Sequence, residues 1–336
     1  MSEMTIYDIS RLAGVSITTV SRVLNGNGNV NAETRKRVEK TIKQYKYIPK
    51  QMARNHPNKD LYAVGLMMDD IRHAYMSELA FVINQELGKW KTNTVLCNIT
   101  DVEKEFVNQV DNLIEKRVNG VILMGSIFKN NICRLAIERR YSDFPFVSIN
   151  GNFAIQNVHE IIQDQFQGTK DAVNYLIKIG RRRIGWIFVN KSNSDQKKYA
   201  GFIAGIEACK NAEKRLVETD EKTLDAGIKA TEKLLDEYPD TDAIIYSADI
   251  LAIGGIHCLN EQGISIPDQI AIIGYNNSSL AKECYPPLTS IDNRISDCGR
   301  LAAEMITNVL NGQTVENIVL PCGLAIREST ERTPKF

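Results

Sequence analysis

Apolar positions along this 336-residue chain recur with two different rhythms. Ile6, Ile9 and Leu12-Ala13 fall at helical spacing, Gly14 interrupts them, and Val20, Val23 and Leu24 resume the pattern. Glycine adopts a left-handed turn at little cost, so two short helices around a tight turn are expected. Thr5 and Asp8 stand at capping-box spacing before the first helix. Ser16 is placed to cap a second from Ile17 to about Leu24, and Asn31 a third from about Ala32 to Tyr45. Val38, Ile42 and Tyr45 of the third can close a three-helix core. The opposite face of the second helix carries Ile17, Thr18, Ser21, Arg22 and Asn25. This is the outline of a helix–turn–helix whose second helix enters a major groove.

From Leu61 the rhythm changes. Apolar runs at 62–68, 95–99, 120–124 and 146–149 alternate with amphipathic stretches at 74–90, 103–117 and 130–140. A second series begins near Val158. It has helices at 166–179, 197–211, 223–237 and 250–262, and strands at 184–189, near 216, at 243–246 and at 270–274. Repeated strand–helix units predict parallel sheets with helices on both faces, and two series predict two similar lobes.

Composition narrows the field. At 43% hydrophobic and 24% charged residues, disordered and collagen-like chains are excluded. The absence of any apolar run of 18 residues predicts no membrane span. MSEMTIYDIS lacks the features of an export signal, so a cytoplasmic protein is expected. The seven cysteines are scattered without a CxxC pair and the four histidines are dispersed, so neither a disulfide framework, a metal site nor a cofactor is expected. No GxSxG, P-loop or post-strand GxGxxG appears, which argues against an enzyme.

Net charge is zero but unevenly placed. Residues 1–60 hold 11 Lys/Arg against 5 Asp/Glu, and the other residues hold 30 against 36. A basic head on an acidic body fits a nucleic-acid-binding module, although a partnerless basic tail would look the same. Arg35-Lys36-Arg37 and Arg181-Arg182-Arg183 read chiefly as solvated faces.

The stretch TIYDISRLAGVSITTVSRVLNGNGNVNAETRKRVEKTIKQYKYIP strongly resembles the DNA-binding head of the lactose-repressor (LacI/GalR) family. The resemblance implies that Ile17, Thr18 and Arg22 face base edges, and that Thr5, Ser16, Thr19, Ser21, Asn25 and Thr34 hold phosphates. The chemistry agrees: arginine bonds guanine O6 and N7 together, apolar groups suit the thymine methyl, and hydroxyls suit phosphate oxygens. Residues 50–60 resemble the family's hinge, which folds on the operator and wedges a leucine into the minor groove. Ala53 and Arg54 fit. His56, followed by Pro57, stands at the leucine position and implies a weaker wedge unless Met52 assists.

Further on, Gly120-Val121-Ile122-Leu123, Tyr199-Ala200-Gly201-Phe202, Ala271-Ile272-Ile273-Gly274-Tyr275 and Pro286-Pro287-Leu288-Thr289-Ser290-Ile291 resemble the family's effector domain. The implied fold is a small all-α helix–turn–helix head, residues 1–49, plus an α/β two-lobed, periplasmic-binding-protein-like domain with parallel sheets, residues 61–336. Lobe 1 is expected at about 61–160 and 291–322, lobe 2 at about 161–290 and 323–336, with crossings near 160, 290 and 322.

Ligands of open α/β sheets gather beyond the carboxyl ends of strands. Those ends give Asp69-Asp70, Gly125-Ser126, Asn150, Asn190, Asp249 and Asn276, groups suited to vicinal hydroxyls. Asp249 is the leading candidate. The rings of Tyr75, Phe166 and Tyr275 lie nearby, either to cover a sugar or as core. Lys198 replaces an arginine common in the family, and Asn276-Asn277 replaces an Asp-Asp pair, which makes the cleft less acidic. An anionic effector, a sugar phosphate or acidic sugar with Lys198 as counter-charge, becomes one option beside a neutral sugar. The resemblance thus implies a homodimeric repressor of a carbohydrate operon that binds double-stranded operator DNA and a small effector. The alternatives are a catabolite-type regulator with a phosphorylated carrier protein as corepressor, and a solute-binding protein. No leucine heptads follow Pro321, so no tetramer-forming helix is expected.

Overall fold

The computed structural model describes residues 6–24, 30–45 and 62–331. The head consists of α1 (Ile6–Ala13), α2 (Ile17–Leu24) and α3 (Ala32–Tyr45). Ile9, Ala13, Val20, Val23 and Val38 are buried together, with Val15, Val30 and Ile42 half-buried around them. Gly14 sits at φ +62°, the left-handed conformation that the turn requires. The caps expected for α2 and α3 form, while Thr5, expected to cap α1, lies outside the described residues. The Thr19 amide donates to Ser16 Oγ at 3.2 Å, and the Thr34 amide to Asn31 Oδ1 at 2.7 Å. One core assignment is corrected: Tyr45, in the last turn of α3, is 41% exposed and does not close the trihelical core.

The body runs β1 (Ala63–Met68), α4 (Ala74–Lys89), β2 (Asn93–Asn98), α5 (Val102–Glu115), β3 (Gly120–Met124), α6 (Asn131–Arg140), β4 (Phe146–Ile149) and β5 (Val158–Asp164). It continues through α7 (Gln165–Lys178), β6 (Arg183–Phe188), α8 (Asn193–Glu207), β7 (Glu213–Glu218), α9 (Leu224–Glu237), β8 (Ala243–Tyr246), α10 (Asp249–Glu261), β9 (Ala271–Asn276) and α11 (Leu280–Glu283). The chain then forms β10 (Thr289–Asp292), α12 (Ile295–Leu310), β11 (Ile318–Pro321) and β12 (Gly323–Ala325).

These strands make two six-stranded sheets, ordered β11-β5-β4-β3-β1-β2 and β12-β10-β9-β8-β6-β7. All pairings are parallel except β10 with β12. Residues on both faces of β1 are buried, Val64, Leu66 and Met68 in one cluster and Met67 in another, because helices cover both sides.

One expectation needs correction. Strand β5 belongs wholly to the first sheet, where Val158–Ile161 pairs with β4 and Ile161–Asp164 with β11. The first crossing therefore falls at Asp164–Gln165 rather than near 160, and the second lobe's series starts with α7. Past Gly274, β10 completes the second sheet, while α12 packs on α4 and β11 returns to the first. The crossings are thus Asp164–Gln165, 292–295 and 321–323.

Candidate effector cleft and DNA-reading face

On α2 Val20 and Val23 face inward and Ile17, Thr18 and Arg22 lie exposed on the outer face. Ser16 and Thr19 hydroxyls are 2.8 Å apart at the start of α2, and Thr34 is half-buried in the first turn of α3. The exposed positions are those that a groove-entering helix offers to bases, and hydroxyls at helix starts suit phosphates. Thr5, Asn25, Ala53 and His56 lie outside the described residues, as does the side chain of Ser21.

In the body, both sheets point their strand carboxyl ends at the region between the lobes. The crossings there are joined by amides. Tyr75 Oη donates to Gln163 Oε1 at 3.0 Å, Asn150 Nδ2 donates to the same oxygen at 2.8 Å, and the Gln163 amide returns a bond to Asn150 Oδ1 at 2.9 Å. Gln163 Nε2 donates to the Asn293 carbonyl, Asn293 Nδ2 to Asn276 Oδ1 at 2.9 Å, and the Cys322 thiol to Asn293 Oδ1 at 3.3 Å. The structure therefore brings Tyr75, Asn150 and Asn276 into one seam with Gln163, Asn293 and Cys322, one residue on or beside each crossing. Gln163 and Asn293 escape sequence reading because an amide in a strand or connector carries no periodic signal.

Across the cleft, Ser126 Oγ accepts from the Ser194 amide at 3.1 Å, and Lys129 Nζ donates to Asn193 Oδ1 at 3.3 Å. Beyond the seam, the Ser279 amide and hydroxyl donate to Glu78 Oε1 at 2.8 and 2.9 Å. Asp70 stands at the end of β1 under a bidentate Arg72, whose hydrogen bonds pull its carboxyl down to about 2. Phe166 lies exposed at the start of α7. Its carbonyl sits where a Cβ on Gly201 would come within 2.2 Å, so that glycine lets α7 and α8 approach closely.

Asp249 requires a correction. Its carboxylate is buried and committed within lobe 2. Oδ2 accepts from the Ser278 amide and hydroxyl at 2.8 and 2.7 Å, and Oδ1 from Ser290 at 2.6 Å. Burial raises the carboxyl to about 6 although the serine bonds pull the other way. Asp249 holds the loop after β9 against β10 rather than reaching into the cleft. Tyr275 is likewise taken, fully buried with Lys198 Nζ 3.9 Å from its ring centroid. Arg181-Arg182-Arg183 is not merely solvated: Arg181 donates to the carbonyls of 267–269, and Arg183 faces Asp240 and Asp242.

A groove of about 460 Å³ lies outside the seam, lined by Glu78, Phe81, Ser279, Lys282, Arg294 and Asp297 among others. None of the effector candidates lines it. Among the described residues, no group of three or more His, Cys, Asp or Glu is placed to hold a metal ion, and no helix is long and apolar enough to cross a membrane.

Comparison with known proteins agrees with this geometry. Residues 5–50 match the family described as bacterial regulatory proteins, lacI family, and residues 173–330 match a periplasmic binding protein-like domain. Catabolite control protein A of Priestia megaterium is 32% identical over 335 residues, covering 98% of this chain and 99% of that protein. Among solved structures, a transcriptional regulator CelR–cellobiose complex is 25% identical with TM-score 0.71, covering 97% of this chain and 100% of that one. The lac repressor dimer bound to operator and the anti-inducer ONPF shares the fold at TM-score 0.71 and 24% identity, covering 98% and 99%. The head, the two interleaved lobes and this full-length likeness lead to one identification: the chain belongs to the LacI family of bacterial transcriptional regulators.

Proposed function

We propose that the chain is a cytoplasmic, homodimeric repressor of a carbohydrate-utilisation operon, without catalytic activity, whose operator affinity is set by a sugar or sugar-derived effector. One observation carries this reading: a DNA-reading helix with Ile17, Thr18 and Arg22 outward shares its chain with two lobes whose strand ends meet across a polar seam. Ser16, Thr19 and Thr34, with Thr5, Ser21 and Asn25, take phosphates, and Ala53 and His56 meet the minor groove. Asp70, Tyr75, Ser126, Asn150, Phe166, Lys198 and Asn276 line the effector site, with Asp249 supporting it from behind. CelR in its cellobiose complex supports a sugar as ligand class. Two-fold pairing would match a near-palindromic operator. Leu96, 58% exposed on edge strand β2, and Tyr285, 84% exposed, offer apolar surface to a second copy.

Effector binding changes the lobe arrangement, and a few kcal/mol of coupling suffices to release or fix the heads on DNA. The test is a gel shift on the upstream region of the neighbouring gene cluster, repeated across a sugar panel. Arg22→Ala is expected to weaken specific binding by about 1–3 kcal/mol and to relax preference at one base pair. Specific binding unaffected by Arg22→Ala would remove the base-reading role. The likeness to a catabolite control protein favours a second reading, in which a phosphorylated carrier protein is corepressor, and a pull-down with that carrier separates the two.

A further inference from the structure

Consecutive residues at the end of β9 are each fastened to a different part of the molecule. Asn276 Oδ1 accepts from Asn293 Nδ2 at the second crossing, at 2.9 Å. Asn277 Oδ1 accepts from Arg327 Nη2 at 2.6 Å, and the Asn277 amide donates to Ser290 Oγ on β10 at 2.9 Å. Ser278 is held by Asp249 of α10 through its amide and its hydroxyl. Ser279 reaches across to lobe 1, where its amide and hydroxyl both donate to Glu78 Oε1 on α4.

These fastenings leave the segment little freedom. Asn276 and Asn277 have φ +105° and +53°, two successive left-handed residues. Such a backbone persists where its surroundings over-determine it. Arg327 supplies part of that constraint: Nη1 donates to the Leu288 carbonyl at 2.6 Å, and its amide donates to Thr289 Oγ1 at 2.7 Å. Ser290 in turn donates to Asp249 Oδ1 at 2.6 Å, so the acceptors of the Asn277 and Ser278 amides are bonded to each other. The segment therefore moves as one piece or not at all.

Its two ends lie in different places. Asn276 stands in the polar seam at the cleft. Ser279 stands on α4, whose Met76, Leu79 and Ile83 pack against α12 in the core of lobe 1. Two further contacts between the lobes, Ser126 with Ser194 and Lys129 with Asn193, lie on the opposite face of the first sheet, where Phe128 packs with α5 and α6. Lobe 1 is thus gripped on both faces of its sheet, and a tilt of the lobes about the crossings cannot leave both grips unchanged.

We propose that residues 276–279 form a relay that passes the state of the cleft at Asn276 to α4, and that Glu78 is the residue that receives it in lobe 1. Glu78 is a positioning residue that acts through Ser279. What displaces Asn276 rests on the reading of the cleft as an effector site, whereas the stiffness of the relay is a property of the unliganded chain. Coupling is reciprocal, so a change at Glu78 must be felt back at Ser278 and Asn277.

The experiment is hydrogen exchange of the full chain without ligand, resolved to single amides by mass spectrometry with electron-transfer fragmentation. The amides of Asn277, Ser278 and Ser279 donate to acceptors on β10, α10 and α4 respectively. Glu78→Ala removes the last of these acceptors and neither of the others, yet a relay requires all these amides to exchange about tenfold or more faster. Glu78→Gln keeps an acceptor oxygen and should hold the rates within about twofold of the wild type. Arg327→Met, acting from the Asn277 end, should speed exchange at Ser279 by a factor similar to that of Glu78→Ala. Acceleration confined to Ser279 in Glu78→Ala overturns the relay, because the fastenings are then independent. Unchanged exchange at Ser279 in Arg327→Met overturns it equally. Matching acceleration in β6 and β8 would mark a general loosening and overturns the assignment to this segment. In gel shifts, Glu78→Ala should reduce by about threefold or more the change in operator affinity that glucose, galactose, mannose or cellobiose produces in the wild type. An undiminished change overturns the signalling role of Glu78. A wild type that responds to none of these sugars counts against the sugar-effector reading, while the exchange rates still decide the relay.

Discussion

Lys198 is held against its own ionisation. The unfolded chain would carry this amine at its ordinary 10.5, while the fold holds it near 8. Between those values the unfolded state binds more protons, so stability rises with pH across that window, and below about 8 the full penalty is present. Two and a half pH units correspond to about 3 kcal/mol. Lys198→Met is therefore expected to stabilise the unliganded protein by about 1–3 kcal/mol at pH 7 and by far less at pH 10, read by urea denaturation at both values. Equal effects at the two pH values would show that desolvation is not the cause. Asp249 has the opposite sign. Its carboxyl is raised from 3.8 to about 6, so its contribution falls as pH rises from 4 to 6. Asp249→Asn retains an acceptor for Ser278 and a donor for Ser290 and should cost under about 1 kcal/mol. Asp249→Ala strands those groups and should cost about 2–4 kcal/mol. At this scale the outward residues of α2 were legible, because periodicity says which side of a helix is wet. The commitments of Asp249 were not, since Ser278 and Ser290 lie 29 and 41 residues away.

At the scale of elements, α8 matters most, since it carries Ser194, Asp195 and Lys198 and its position depends on Gly201. A methyl group there would stand 2.2 Å from the Phe166 carbonyl, and backbone cannot yield as a side-chain tip can. Gly201→Ala should cost about 1–3 kcal/mol by thermal melting, and should weaken effector response more than operator binding in the absence of effector. Equal losses in the two assays would mean that α8 serves the whole fold alike. Helix–strand alternation made most of lobes 1 and 2 readable, because strands buried on both faces are unbroken apolar runs. Past Gly274 the sequence reading named no elements. Ile295, Cys298, Ala302, Met305 and Ile306 keep helical spacing and carry α12, but β11 and β12 are only four and three residues long. Strands so short take their identity from partners such as β5 and β10 rather than from their own composition.

The whole molecule is an acidic body behind a basic head, and the body is woven rather than strung. Each lobe is assembled from separated stretches of chain: α12 and β11 complete the first after the chain has already built most of the second. Removal of everything after Asp292 would uncover Met76, Leu79 and Ile83 of α4, which pack in one cluster with Cys298, Ala302 and Ile306. A chain ending there is expected to show no cooperative unfolding transition by circular dichroism, whereas the complete chain should show one. A cooperative transition in the shortened chain would mean that the first lobe stands without its returning helix.

That weaving imposes an order on birth. As the polypeptide leaves the ribosome, α1 to α3 emerge within the first 45 residues, and the described residues of their small core, Ile9 to Ile42, are all made by then. The first sheet must wait for its outermost strand, β11, until residue 321 has been synthesised. The reading head is thus finished long before the sensor that is to govern it.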